Sequence, residues 1–583
     1  MMNDKCDVLE AKTLCEVIHH RAQYQKNKIY CTLIEPHSEK SITFGELFEM
    51  AQQYGNAMLS YGLKPEDRIA IMLPTGLEVL FSYFGALLSG LIPAVVAPPF
   101  LPRKMRFFVK NLSECLRGIE ASAMITSKQL QRTSLTIKEN VPSMKYLLTT
   151  EDMNQYRFIK NLNAKILSNQ IAMIQFSSGT NGKQKGVALT HYNLISNLKA
   201  FHLAMGTTPE DVTVSWLPLQ HDMGLIGCVC GSLFAGCKLV LMSPMMFMSS
   251  PTFWLRVMHQ KSGTISVAPN FGYQLCIEKC KELKPGQIDL SKWRMALNGS
   301  EMVVEDTVVR FVEKFGPLRF RKESFMPVYG LSEATVAVCF TPPGTGTLVD
   351  RVNLELLETE GIAHPTDHIA GSTSFVSVGK PIPGVEVKIV NHAGNEVGER
   401  VQGKLLVRSP SVMAGYFNDN IATSEVLRDG WLDTGDMAYR VGEYIFITGR
   451  SKDIIVKAGR KYHPEQFEQA VWSLAGIRKG SVAAFGVLSP KTGTEDIVVM
   501  AETNPVRDKI SNGTKIRNKI ERERLVKAVK RAISERVELT PDKVVIVPPQ
   551  TIPKTTSGKV QRSLCRRLYI KGNIFPKSEI QKK

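Results

Sequence analysis

Between residues 176 and 186 the chain reads FSSGTNGKQKG, directly after the apolar run Ile171 to Ile174. Glycines at 179, 182 and 186 let a main chain come close to an anion and turn its N–H groups onto it. Ser177, Ser178 and Thr180 add hydroxyl donors, and Lys183 and Lys185 add positive charge. The combination is a candidate phosphate cradle. It is not the G-x-x-x-x-G-K-[ST] loop, because Gly182-Lys183 is followed by Gln184. A polar turn between a strand and a helix opening near Thr190 would have the same composition, so this stretch alone leaves both readings open.

The elements that must position such a loop are legible from periodicity. A helix ending at Gly62 leads to a strand of roughly Arg68 to Leu73, and the pattern repeats. Helices at 76–89, 192–205 and 224–235 precede strands at 92–97, 212–216 and 238–242. This alternation predicts an α/β fold with mainly parallel sheets. VLFSYFGALLSGLIPAVVAPPF at 79–100 is apolar enough to resemble a membrane span, but Gly90, Pro93, Pro98 and Pro99 break it into a buried helix and a core strand. After about residue 375 short strands and turns predict a small β-rich subdomain, and from 448 onward a compact α+β unit follows.

At 583 residues, 43% of them apolar, the chain is expected to form at least two domains. Its net charge of +18 is unevenly placed: from Arg450 to the end there are 29 basic and 13 acidic residues. That end is a separate electrostatic object which would attract an acidic partner. A solvated helix face explains segments such as ERERLVKAVKRAISER equally well, and the aromatic interleaving of a single-strand nucleic-acid binder is missing there. No nucleic-acid partner is therefore expected. The eleven cysteines show neither C-x-x-C pairs nor metal-ligand spacing, and the N-terminus lacks the apolar core of a signal peptide. A cytoplasmic location without structural zinc or a transmembrane segment is the expectation.

Four further stretches follow the loop in order: YGLSEAT at 329–335, GWLDTGD at 430–436, TGRSKDIIVKAGRKYHP at 448–464 and PKTTSGKVQR at 553–562. Together, over nearly the whole chain, they resemble the adenylate-forming superfamily of acyl-CoA synthetases, peptide-synthetase adenylation domains and luciferases. WLPLQHDMGLIG at 216–227, NGSEMV at 298–303 and the early VAPPF resemble its fatty acyl-AMP ligase branch. The resemblance implies a large domain at 1–449, with a β-rich subdomain at about 376–449 and a family insertion at about 349–375. A hinge at 450–452 and a small, mobile, basic α+β domain at 453–583 complete it.

It also implies ATP and Mg²⁺ as cofactors. Joining a carboxylate to the α-phosphate sets two anions against each other, so cations and donors must be fixed in place. By the resemblance Ser177, Ser178, Gly179, Thr180, Gly182, Lys185 and Gly186 grip the β- and γ-phosphates. Gln184 stands where the family often has proline. Glu333 would hold Mg²⁺, a hard cation suited to oxygen ligands. Tyr329, flanked by Gly330 and Ser332, would offer a flat face to adenine, with Asn298, Gly299 and Ser300 bordering the base. Asp436 and Arg450 would meet the ribose; an isolated T-G-D would instead be a turn aspartate bonding its own backbone. Lys559 would bridge the substrate carboxylate and α-phosphate, and Lys452 would be the pivot between adenylation and thioester formation.

His221, Asp222, Met223 and Gly224 open a small, apolar segment that suits the wall of an alkyl-binding pocket, although a core helix gives the same pattern. Amino-acid-activating relatives hold the substrate amine with an aspartate near this point, so Asp222 keeps that reading open. The implied activity is adenylation of a medium- or long-chain fatty acid and transfer to an acyl carrier protein. An acyl-CoA synthetase is the near alternative, and a nucleic-acid ligase or a non-catalytic nucleotide-binding scaffold are the distant ones. A nucleotidyl-lysine ligase would need K-x-D-G, whereas LRDG at 427–430 has leucine there. Between YGLSEAT and SVGKPIPG the inserted segment 349–375 resembles that of fatty acyl-AMP ligases. Its alternating Val352, Leu354 and Leu356 predict a packed strand that would hinder the small domain from reaching a CoA-using arrangement.

Overall fold

The computed structural model describes residues 8–572 except 100–104, 159, 163–164, 178–183, 281–282, 452, 458–459, 489–494, 505–518, 538 and 556–557. Ser178, Gly179, Thr180, Gly182 and Lys183 of the expected cradle and the expected pivot Lys452 lie outside the described residues.

Apolar strands that alternate with helices can bury both faces only by lying parallel with helices on each side. Six strands do so in the order Ile29–Ile34, Lys238–Met242, Val212–Ser215, Ile265–Ala268, Met295–Asn298 and Phe325–Tyr329. Antiparallel strands close the edges of this sheet, Glu39–Thr43 on one side and Cys339–Phe340 with Lys380–Pro381 on the other. Because the six run one way, their carboxyl ends share one rim, where open α/β sheets place ligands. A second parallel sheet joins Ile92–Val96, Arg68–Met72, Ala123–Thr126 and Tyr146–Thr149.

The apolar stretch at 79–100 is core. The helix Leu77–Leu88 is buried except at Glu78, and the chain turns at Gly90 (φ +72°) into the strand Ile92–Val96. It lies so close to the helix Phe44–Ser60 that a Cβ on Gly85 would sit 2.7 Å from the Ala51 carbonyl oxygen. Among the described residues no helix is long and apolar enough to cross a membrane.

Three local expectations are corrected. The Gly-rich loop is not a strand-to-helix turn: Ile171–Ser177 pairs antiparallel with Lys185–Thr190, and only then does Thr190 cap the helix His191–Met205. The short VAL run inside the second strand was too brief to separate from the helix that follows. The helix expected over 224–235 is a π-helix at Met223–Cys230 and an α-turn at Gly231–Ala235. Gly224 permits that winding, since a Cβ there would lie 2.4 Å from the Pro218 carbonyl oxygen. In the insertion, the strand Val349–Asn353 stops where the Asn353 side chain accepts from Leu356 N–H at 3.0 Å and caps the helix Leu354–Thr359. Leu354 and Leu356 are therefore helical, not strand residues.

The inserted strand returns as Ser372–Val376, and the ribbon buries Val352, Leu357, Ala363 and Phe375 against Tyr439 and Phe446. Those two aromatics belong to an antiparallel sheet that spans Glu386 to Arg450. Asp350 fastens the contact, accepting from Tyr439 Oη at 2.8 Å and Arg400 Nη1 at 2.9 Å.

The C-terminal unit has its own sheet, Ile477–Leu488, Glu495–Thr503 and Lys543–Val547, and its own core around Phe467, Val499, Val529 and Ile533. At its centre Arg562 donates to both Glu468 oxygens at 2.8 Å and meets Glu465 at 2.8 Å and Asp453 at 2.9 Å. Burial raises the Glu468 carboxyl, and the guanidinium opposes that shift. Removing one partner of a buried charge cluster leaves the rest uncompensated. Arg562→Met is accordingly expected to destabilise this unit by about 3–5 kcal/mol, read as lost hydrogen-exchange protection over 460–572 with the central sheet unaffected.

Candidate active site

The chain leaves the rim of the central sheet through four segments: Trp216–Asp222 after one strand, Pro269–Phe271 after the next, Ser300–Glu301 and then Gly330–Glu333. They line a continuous cavity of about 4350 Å³ that also receives Asp436, Arg450 and Lys559.

Backbone packing places the Gly330–Glu333 segment. A Cβ on Gly330 would fall 1.7 Å from the Val336 carbonyl oxygen, so only glycine fits. Thr335, at φ +69°, donates to the Ser411 carbonyl at 2.7 Å, and Met413 N–H donates to the Glu333 carbonyl at 2.9 Å. Asn197, on the helix His191–Met205, exchanges hydrogen bonds with both backbone groups of Ala337 at 2.9 and 3.0 Å. Glu333 is thus held from two sides. Its Oε1 accepts from Tyr416 Oη at 3.0 Å, and the Lys185 ammonium lies 4.2 Å from the Tyr416 ring. Ser177, paired with Lys185 at the mouth of the loop, buries a hydroxyl that has no partner among the described residues.

Tyr329 ends the last parallel strand and donates its hydroxyl to Asp436 Oδ2 at 2.6 Å. Arg450, the strand partner of Asp436, lies 3.2 Å from Oδ1. Burial pushes the Tyr329 phenol well up and the neighbouring carboxylate adds to it; the same carboxylate raises Arg450. Each Asp436 oxygen keeps one lone pair for a ligand hydroxyl. Asn298 differs from expectation. It is fully buried, and its amide donates to Asn270 Oδ1 at 3.1 Å, whereas Ser300 (φ +72°), expected beside the base with it, lines the cavity. Gly299 passes under Val328, whose Cγ2 would be 2.7 Å from a Cβ.

Asp222 accepts from Ser332 Oγ at 2.5 Å and from Met223 N–H at 2.7 Å, so both oxygens are engaged within the chain. His221 and Met223 line the cavity on either side of it, and Gly224 packs against the Pro218 carbonyl. Lys559 enters from the small domain on a tight turn: Thr555 N–H donates to its carbonyl at 2.7 Å, and its own N–H donates to Thr555 Oγ1 at 3.0 Å. Burial and Arg450 push its ammonium down, while Asp222, Glu301 and Asp436 pull it back up.

The sequence reading missed Gln175, which donates to the Gln220 carbonyl at 2.7 Å, together with Tyr416 and Glu301. Tyr416 reaches Glu333 only because Gly415–Tyr416 pairs with Val187 and Ala188, a long-range contact that no local pattern signals. Glu301 stood in the quoted NGSEMV and could have been weighed for its charge.

The model of the AMP-binding enzyme family matches residues 18–417. The chain belongs to that family. It is 30% identical, over 97% of its length and 96% of the relative's, to the medium-chain-fatty-acid–[acyl-carrier-protein] ligase JamA of Moorena producens. It is also 30% identical, over 91% of each chain, to the long-chain-fatty-acid–AMP ligase FadD26 of Mycobacterium marinum. A solved structure from a study of fatty acyl-adenylate ligases of E. coli and L. pneumophila superposes with a TM-score of 0.88 at 29% identity, covering 97% of this chain and 99% of the other. The fold is the adenylate-forming one, α/β with a large, mostly parallel N-terminal part.

In such an enzyme the geometry at Gly330 is testable. Gly330→Ala must displace either Val336 or the Tyr329–Glu333 segment, and adenine-nucleotide affinity is expected to fall at least about tenfold, the equivalent of one lost hydrogen bond of ordinary strength. Calorimetric titration with AMP measures it.

Proposed function

We propose that the chain activates a medium- or long-chain fatty acid with ATP and passes the acyl group to an acyl carrier protein. The observation that carries this reading is the continuity of the cavity. One cavity is lined both by Lys559, Asp436 and His221 and by Phe201, Met205, Gly227, Gly231 and Ala235. A Cβ on Gly231 would press to 3.2 Å from the Phe201 ring, so the glycine leaves room there for an alkyl chain. Asp222 carries one hydrogen bond on each carboxylate oxygen, from Ser332 and Met223, which ties it to the chain's own packing. The relatives' names, a carrier-protein ligase and an AMP ligase of fatty acids, support the same substrate class.

In the first step a carboxylate oxygen attacks the α-phosphorus, the bond to the β-bridging oxygen breaks, and pyrophosphate leaves. Lys559 neutralises charge between the two anions as they meet, and Asp436 with Arg450 and Tyr329 orients the ribose. Ser177 and Lys185, on the cavity wall, would meet the leaving phosphates. In the second step a thiol sulfur attacks the acyl carbon and AMP departs. Glu333 fits Mg²⁺, as a hard oxygen donor on the cavity wall. When bound, the ion would supply bridging positive charge to the phosphates. The basic C-terminal unit suits an acidic carrier protein, and rotation near Lys452 would bring the carrier's thiol to the acyl group.

Incubation with ATP, Mg²⁺ and a series of fatty acids is expected to yield acyl-adenylate, and Lys559→Ala should reduce its formation about 10²–10³-fold, as loss of one transition-state donor does. Undiminished formation would remove Lys559 from the chemistry.

The insertion bears on the acceptor. Its ribbon is fixed on Tyr439 and Phe446, and its helix Leu354–Thr359 lies against the strand Arg460–Tyr462 of the small domain. This arrangement restrains the small domain from the side. The intact enzyme is expected to form little acyl-CoA, and deletion of about 349–373 to raise acyl-CoA formation in a product assay. Efficient acyl-CoA synthesis by the intact chain would identify it as a CoA synthetase.

A further inference from the structure

The small domain touches the large one through a patch that none of the roles above uses. The Glu301 carboxylate, on the cavity wall just past the strand Met295–Asn298, accepts from Phe271 N–H at 2.5 Å at the start of the helix Asn270–Lys279. The Phe271 ring lies under Gly558, where a Cβ would come 3.5 Å from ring carbon Cε1. Gly558 sits at φ +86° and immediately precedes Lys559. About two helical turns further along, Glu278 pairs with Lys479 of the small domain at 3.0 Å. Glu301 therefore fixes the ring that floors the lysine's turn and adds a negative charge facing it.

We propose that Glu301 is a positioning residue for Lys559. It holds the lysine turn in the cleft while the acyl-adenylate forms and has no part in transfer to the thiol. This rests on the function proposed above and assigns a task to a residue that the reading did not include. The charged groups facing Lys559 are Arg450, Asp222, Asp436 and Glu301, and those facing Glu301 are Lys559 and Lys554. Asp222 and Asp436 are already engaged by Ser332, Met223, Tyr329 and Arg450. Glu301 accepts from one backbone amide among the described residues, so its remaining lone pairs and its charge are open toward the two lysines. Burial raises its carboxyl, and the Phe271 N–H and the two lysines offset only part of that rise.

Glu301→Gln separates the two contributions, because its amide oxygen still accepts from Phe271 N–H while the charge is gone. Acyl-adenylate formation is expected to fall about tenfold, the scale of one differential charge interaction, with the KM for ATP within about twofold. Losing a negative neighbour makes Lys559 easier to deprotonate, so the alkaline limb of the adenylation profile should move to lower pH by about half a unit to one unit. Transfer from preformed acyl-adenylate to the carrier should be unchanged. In a Lys559→Ala background the same substitution should cost less than about twofold, since residues acting as a unit are not additive. Glu301→Asp should recover part of the rate and of the pH profile.

Equal losses in adenylation and transfer, an unmoved alkaline limb, or additive losses in the double variant would overturn the proposal and leave Glu301 a structural residue. If Glu301→Gln unfolds, Glu301→Asp and its double variant with Lys559→Ala carry the same comparison. A wild-type chain that forms no acyl-adenylate would refute the underlying function instead, a result distinct from any of these.

Discussion

The carboxylate of Asp436 is only 7% exposed, and a charge so placed must be paired. One oxygen is paired by the phenol at the end of the central sheet and the other by Arg450, the last residue of the strand that leads to the small domain. Three regions of chain far apart in sequence are thereby brought into register around one anion. The lone pairs left over face the cavity, so the interaction that assembles the site also leaves its ribose acceptors in place. Had both Tyr329 and Arg450 been apolar, the aspartate would have lost the partner of each oxygen before any ligand arrived.

Much of the layered architecture was legible because its signals are local. Gly62 and Gly90 punctuate helix and strand where the period changes, and the strands at Arg68–Met72, Ile92–Val96 and Lys238–Met242 match their apolar runs within a residue. The failures have physical causes. Lys185–Thr190 becomes a strand through pairing on both sides, with Ile171–Ser177 and with Gly415–Tyr416, and not through its own propensity. The π-winding at Met223–Cys230 depends on Gly224 clearing a carbonyl that belongs to another turn. Asn298 was assigned to the base on its motif, yet a strand residue's outlook is decided by the pleat, and the pleat turns it toward Asn270.

The site was legible in a different sense. Asp436, Arg450, Glu333 and Lys559 were named from ordered motifs, and the structure gathers them on one cavity. What a motif could not give is the set of contacts that hold them: Tyr416 on Glu333, Ser332 on Asp222, and Glu301 beneath the lysine turn. Such partners come from strands and helices that meet only in the folded chain, and no spacing rule reaches across 83 residues from Glu333 to Tyr416.

The small domain carries two kinds of ionic contact, and solvent ions reach them unequally. Arg562 is enclosed with Glu465, Glu468 and Asp453, whereas Lys479 meets Glu278 at a half-exposed boundary between domains. At a physiological Debye length of about 8 Å, dissolved salt weakens exposed pairs and largely spares enclosed ones. Rising ionic strength would therefore loosen the small domain from the cleft while leaving it folded. Detachment and unfolding are separable events in this chain, and the first can be tuned by the medium without cost to the second.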